Sequence, residues 1–318
     1  MKLFSISILK ISVTIICLYF LHKKFTGIDL QIQFLDTLPP MIIVATIIFL
    51  SHLFIVAIRW RFFVLKLGGE LSYAKATQYV AISSFLNNTP LGLVVGDAYR
   101  SLAIQGEKFK LRSAVGSVLL DRYTALLGMC ITPTITVILY SIFNLTNPTI
   151  VDVTLVLTVF TGSLLVFPLL PNIRSLRSYL VFERLKYFFD YLIQLSLIFY
   201  KAHFSIQSVF KIHFTTFFVV ITSGLITFIF ASAAGTNLGL LNCFIVTSLA
   251  LVAGAIPLSV GGIGVRELSF VGLFELIYVP LDAAFLITAS FSLSFFLASL
   301  VGALVWLALG ASSLINKR

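Results

Sequence analysis

The sequence predicts an all-α polytopic integral membrane protein, with about six full spans plus two re-entrant helical hairpins in an inverted repeat. Of its 318 residues, 59% are hydrophobic and 11% are charged, with a mean hydropathy of +1.07. Soluble domains carry about 25% charged residues. Roughly 18 consecutive apolar residues are enough to suggest a membrane span. Long uncharged runs cover Met41–Ile58, Ala76–Gly96, Tyr123–Val151, Val153–Ile173, Phe214–Val265 and Ala283–Asn316.

The first predicted span is the apolar run Met1–Phe20, which is followed by His22, Lys23 and Lys24. A secretory signal peptide is the alternative, but the run lacks a small-residue cleavage site. The second span opens at Pro39-Pro40 and ends in a basic patch. That patch contains Arg59, Arg61 and Lys66.

Two further apolar segments are broken by turn-forming residues. Ala76–Gly96 contains Asn87-Asn88-Thr89-Pro90, and Leu238–Pro257 resembles it. A lipid-facing helix cannot satisfy such a broken backbone, whereas a hairpin buried in protein can. We therefore expect two re-entrant hairpins, with two full crossings at either place as the alternative.

The remaining spans follow from length and charge. Tyr123–Ile173 is long enough for two spans separated by a turn at Asn144–Pro148, and further spans cover Ile212–Ala234 and Ala283–Leu314. Between them, residues 174–211 form a basic stretch with interleaved apolar residues, which is typical of amphipathic helices at a membrane surface.

The loop charges predict the orientation, because Lys and Arg are retained in cytoplasmic loops. Basic residues concentrate in Arg59–Lys75, Arg100–Arg112, residues 174–211 and the C-terminus. Both termini are then cytoplasmic in the cell inner membrane, although Lys23 and Lys24 contradict this. Residues 1–140 form the first half-repeat and 150–318 the second. This retention also explains the net charge of +10, so no nucleic acid partner is expected.

Two glycine-rich motifs recur in opposed topological positions. PLGLVVGDAYR ends at Arg100, and PLSVGGIGVR ends at Arg266. A glycine turn before a helix aims unpaired N–H groups at an anion, and arginine adds a fork of donors suited to phosphate. The predicted turn residues are Pro90, Pro257, Gly96, Gly261, Gly262 and Gly264. Packing kinks, with a local ion pair between Asp97 and Arg100, are the alternative.

Asp121-Arg122 lies about nine residues inside a span, so it sits roughly 13 Å deep. Adjacent helix residues do not face each other, so each of the two needs a different partner. An unpaired charge at mid-membrane costs about 3 kcal/mol. We therefore expect these residues, with Asp97, Arg100, Arg266 and Glu267, to line a polar cavity or to pair within the bundle. A purely structural ion-pair network is the alternative.

Other motifs give no sign of a cofactor. The histidines are scattered, the three cysteines are isolated in apolar segments, and no nucleotide-binding P-loop occurs. No metal or cofactor is expected, and no catalytic residue is assigned.

At these motifs the sequence resembles the flippase-like transmembrane domain family of lysylphosphatidylglycerol synthases and its stand-alone relatives. The resemblance rests on Asn88–Arg100, Asp121-Arg122 and Pro257–Glu267. The family's first motif typically reads P-G-x-x-G-G-D-x-x-R. Here Val95 replaces the first of the paired glycines and Leu91 stands where the proline usually is, so the turn differs in shape.

The resemblance implies transfer of a phospholipid or lipid-linked head group between leaflets, without tRNA-dependent chemistry because no aminoacyl-transferase domain is seen. Arg100, Arg122 and Arg266 would meet the phosphate. Asp97, Asp121 and Glu267 would balance the charge and favour a cationic head group. The alternatives are a membrane-embedded transferase acting on a lipid-linked sugar, a transporter of a soluble anion, and a non-catalytic partner of a separate lipid synthase. A homo-oligomer also remains open.

Overall fold

The computed structural model describes residues 2–25, 33–89, 93–106, 109–142, 158–159, 178, 183–202, 206–255, 259 and 262–315. Ten helices are defined in these residues, and no strand occurs among them. They are α1 (Lys2–Phe25), α2 (Gln33–Lys66), α3 (Tyr73–Asn87), α4 (Leu93–Ala103), α5 (Leu111–Ile142), α6 (Glu183–Ala202), α7 (Ile206–Ala233), α8 (Leu240–Ala255), α9 (Val265–Leu276) and α10 (Leu281–Ile315). The all-α prediction is confirmed.

Four helices are long and apolar enough to cross a membrane, in the part of the chain that is described. These spans are Leu38–Lys66, Leu111–Thr136, Ile212–Ala233 and Leu281–Leu309. They belong to α2, α5, α7 and α10, and α1 coincides with the first predicted span. The predicted turn at Asn144–Pro148 lies outside the described residues, as does nearly all of the predicted span Val153–Ile173, so the total of six spans stays a prediction.

The candidate span in α2 begins at Leu38, next to the predicted opening at Pro39-Pro40. α2 begins at Gln33, so Pro39 and Pro40 lie inside the helix rather than at its start. A proline at these positions removes an intrahelical hydrogen bond, since only the first four N–H groups of a helix lack a partner within it.

Two pairs of short helices occupy the places of the predicted hairpins. α3 and α4 contain 15 and 11 residues, and α8 and α9 contain 16 and 12. The side chain of Ser72 caps α3 by accepting a hydrogen bond from Lys75 N at 3.3 Å. The members of each pair pack against each other. Entry and exit on one membrane face remain a prediction.

The helix contacts fall into matching sets. We compared α2, α3, α4 and α5 with α7, α8, α9 and α10, in that order. Each packed pair among these eight helices has an equivalent packed pair in the other set, and α2–α7 is equivalent to itself. For example, α3 packs on α10 as α8 packs on α5, and α4 packs on α5 as α9 packs on α10. This is the pattern that two structurally equivalent half-repeats would give.

Aromatic side chains fill the largest core cluster, between α2, α7, α8, α9 and α10. Phe49 contacts Phe291 with ring centroids 5.2 Å apart, and Phe291 contacts Phe270 at 5.0 Å. The outer faces of α2 and α10 are exposed and apolar, as at Ile47 and Leu307. Since lipid is as apolar as these side chains, α2 and α10 form part of the lipid-facing boundary.

Candidate functional site

A cavity of about 240 Å³ lies inside the bundle. Its walls come from α2, α3, α4, α5, α7, α8, α9 and α10, so both predicted half-repeats contribute. It is slightly smaller than the roughly 300–1,000 Å³ of pockets that enclose a drug-sized ligand. The charged residues that border it are Arg59, Arg100, Asp121, Arg122 and Arg266.

A chain of ion pairs forms one wall of the cavity. Arg59 Nε donates to Asp121 Oδ1 at 2.7 Å, and Arg100 Nη1 donates to Asp121 Oδ2 at 3.0 Å. Arg100 Nη2 also donates to Asp97 Oδ1 at 2.9 Å. Asp97 accepts two further bonds of 2.8 Å from Arg122 Nε and Nη2, the two-pronged geometry of strong arginine–carboxylate pairs. Five charged side chains from α2, α4 and α5 therefore form one network.

The members of this network differ in exposure. The side chains of Arg100 and Asp121 are each 3% exposed, whereas that of Arg122 is 42% exposed. The guanidinium of Arg100 lies 5.2 Å from the Trp60 ring centre, and its Nε is buried without a hydrogen-bond partner. Arg122 is therefore the accessible end of the network, and Arg100 is its buried centre.

The sequence reading of Asp121-Arg122 is confirmed in its geometry, because the two residues pair with different partners. The sequence placed Arg59 in the basic patch that ends the second span, whereas the structure places it inside the bundle. Its side chain is 5% exposed and also donates to Thr216 Oγ1 at 3.3 Å. Asp121 lies 62 positions away, so the only sequence signal was an aspartate at membrane depth that needed a cation.

A second charged cluster is centred on Glu267. Arg266 Nη2 donates to Glu267 Oε1 at 2.6 Å, and Ser292 Oγ donates to the same oxygen at 2.6 Å. The Arg266 guanidinium also lies 4.9 Å from the ring centre of Phe295. Arg266 borders the cavity and forms an ion pair with Glu267. The cavity therefore lies between the two charged clusters.

Gly96 lies outside its predicted turn, whereas Gly262 and Gly264 lie in the turn that precedes α9, as predicted. α4 begins at Leu93, so Gly96 lies inside a helix, where its N–H donates to Asn87 Oδ1 at 3.0 Å. The N–H of Gly264 donates to Glu267 Oε2 at 2.6 Å. These two N–H groups are therefore satisfied within the protein, and the expectation that they are open to a phosphate is wrong.

Close packing explains why glycine is needed at Gly96 and Gly262. A Cβ on Gly96 would lie 2.2 Å from Ser83 O, so α3 and α4 could not approach as they do. Gly262 has φ of +77°, and a Cβ there would lie 2.6 Å from Gly254 O. The predicted turn residues Pro90, Pro257 and Gly261 lie outside the described residues.

His52 of α2 borders the cavity and pairs with a threonine of α7. His52 Nε2 and Thr222 Oγ1 are 2.6 Å apart, and His52 also packs edge-on against Phe49. The sequence reading found no role for His52. Among the residues described, no group of three His, Cys, Asp or Glu side chains could hold a metal ion.

The fold and the site together define a polytopic helical membrane protein with a positively charged cavity among its spans. The chain belongs to the family described as the lysylphosphatidylglycerol synthase TM region, whose family model matches residues 7–302. The resemblance that the sequence predicted is thereby confirmed at the level of the family. A comparison with curated proteins found no match.

Proposed function

We propose that this protein moves a phospholipid, or another lipid-linked head group, between membrane leaflets through the cavity. One observation carries the proposal: arginines from both predicted half-repeats border a single cavity inside the bundle. These are Arg59, Arg100, Arg122 and Arg266. The phosphate of a head group would lose its hydration in hydrocarbon, and guanidinium donors replace that hydration.

The size of the cavity supports a path for the head group alone. At about 240 Å³ it has room for a phosphate with a small alcohol and none for two acyl chains. The chains would stay in the surrounding lipid while the polar head crosses. Arg122, the accessible end of the network, would be the first of the four arginines to meet the phosphate.

The proposal includes the inverted topology. The two short-helix pairs would enter from opposite faces, the half-repeats would exchange access to a site near the bilayer midplane, and both termini would face the cytoplasm of the inner membrane. The matching helix contacts support the two equivalent half-repeats that this arrangement requires. No covalent step is part of the proposal, so the chain acts as a transporter rather than an enzyme.

Reconstituted proteoliposomes test the function. Transfer of a fluorescent phospholipid from the inner to the outer leaflet is followed by quenching with an impermeant reductant. The test variant is Arg122→Gln, and the control is Arg112→Gln, an exposed arginine on the same helix. Transfer should fall by about tenfold or more in Arg122→Gln, since a hydrogen bond to a charged group contributes about 1.5–3 kcal/mol and 1.36 kcal/mol is tenfold in rate.

Three results would contradict the proposal. Equal transfer by wild type and Arg122→Gln would remove the cavity from the path. Uptake of radiolabelled inorganic phosphate without lipid movement would indicate a transporter of a soluble anion. Conversion of a lipid-linked sugar by the purified chain would indicate the transferase alternative.

A further inference from the structure

We infer that the cavity selects head groups with net negative charge, and that an ammonium group beside the phosphate is disfavoured. This inference rests on the proposed function and names its substrate class. It reverses the sequence-based expectation that Asp97, Asp121 and Glu267 favour a cationic head group.

The carboxylates are already occupied by the protein. Asp121 accepts from two arginines, one at each oxygen. Both oxygens of Asp97 accept from Arg122, and one also accepts from Arg100. All six carboxylate oxygens of Asp97, Asp121 and Glu267 accept at least one hydrogen bond. An ammonium entering the cavity would therefore have to share each of these carboxylates with a donor that the protein already supplies.

The neutral acceptors near the arginines are also engaged. Asn87 Oδ1 accepts from the N–H of Gly96, and Thr216 Oγ1 accepts from Arg59 while donating to Ile212 O. An ammonium needs several acceptors when it leaves water. This wall of the cavity therefore offers it little compensation.

Donors are in surplus at the same wall. Four arginines stand against three carboxylates, which leaves one unit of positive charge around the cavity. Arg100 Nε is buried without an acceptor, and the side chain of Arg122 is 42% exposed. A phosphate supplies acceptor oxygens and negative charge, whereas an attached ammonium adds a positive charge close to the guanidinium groups. Like charges this close in a low-dielectric site repel strongly.

Three fluorescent lipids that share the same acyl chains separate charge from size. They are phosphatidylglycerol, phosphatidylethanolamine, and phosphatidylethanolamine whose amine is acetylated. Acetylation removes the ammonium but keeps the phosphate, so this lipid is anionic without a glycerol head group. Transfer of each is measured in proteoliposomes that contain wild type, Arg122→Gln or the control Arg112→Gln.

We expect wild type and Arg112→Gln to transfer both anionic lipids about tenfold faster than phosphatidylethanolamine, which corresponds to about 1.4 kcal/mol. Arg122→Gln should reduce that ratio toward one. Transfer of all three lipids at equal rates would overturn the selectivity and leave the proposed function standing. Fast transfer of phosphatidylglycerol alone would also overturn it, because recognition would then depend on the glycerol. Transfer of none would reject the proposed function and the inference together.

Discussion

Replacing Asp121 with asparagine removes the carboxylate that holds two buried guanidinium groups. The side chains of Asp121 and Arg100 are each 3% exposed, and that of Arg59 is 5% exposed. Breaking a buried ion pair by removing one partner costs about 3–5 kcal/mol, because a charge is left uncompensated. For a domain of 150–250 residues, 1 kcal/mol shifts the melting temperature by about 2–4 °C. With the lower factor for this longer chain, Asp121→Asn should melt roughly 6–10 °C below wild type.

A thiol-reactive fluorophore measures this shift, because Cys17, Cys130 and Cys243 are all buried and react only when the fold opens. Purified protein in detergent is heated with the dye. The matched control is Glu70→Gln, the same acid-to-amide change at an exposed position between α2 and α3, which should shift the melting temperature by about 1 °C or less. Activity is not needed for this measurement.

The double variant Arg59→Met with Asp121→Asn tests whether Arg59 depends on this carboxylate. It removes one of the two guanidinium groups that the single change leaves unpaired, so it should melt above Asp121→Asn alone. A single variant that melts within about 2 °C of wild type would refute the buried network. A double variant that is no more stable than Asp121→Asn would show that Arg59 does not depend on this carboxylate.

Three further predictions follow from the packing, the network and the proposed topology. Gly96→Ala should lower the melting temperature, because its Cβ would lie 2.2 Å from a carbonyl oxygen of α3, while Gly272→Ala, with no atom within 4 Å, should leave it unchanged or raise it. Asp97→Asn removes a competitor for the arginines, so in proteoliposome kinetics it should lower both KM for an anionic lipid and the maximal rate; an unchanged KM would contradict this. An impermeant maleimide applied to cells should label Tyr278→Cys from outside and Glu70→Cys only after permeabilisation, and the reverse pattern would refute the orientation.

The sequence predicted the helical membrane fold and the position of Asp121-Arg122 within a span, because both depend on local composition. It also identified Arg100 and Arg266, which border the same cavity. Long-range packing brings these two arginines to one cavity, and the sequence could suggest this only through a repeated motif. Hydropathy and charge therefore revealed which residues are out of place in lipid, and the structure showed what they contact.

Arg59 and Gly96 show where such reasoning fails. An arginine at the end of an apolar run can extend to the interface or turn inward, and only the position of α5 decides between them. Glycine suggested a turn at Gly96 because it is a poor helix former, costing about 1 kcal/mol relative to alanine. In the structure, close contact with α3 is the stronger constraint.

The packing of α3 against α10 has a consequence for biosynthesis. The last residue of α3 is Asn87 and the first of α10 is Leu281, so 194 positions of chain separate them. At about 5–20 residues per second, a ribosome needs roughly 10–40 s to supply that length. During this time the α3 surface that α10 later covers has to be shielded by lipid, by the insertion machinery or by temporary contacts with other helices. The amino-terminal portion can therefore reach its final packing only after the closing helix has been translated.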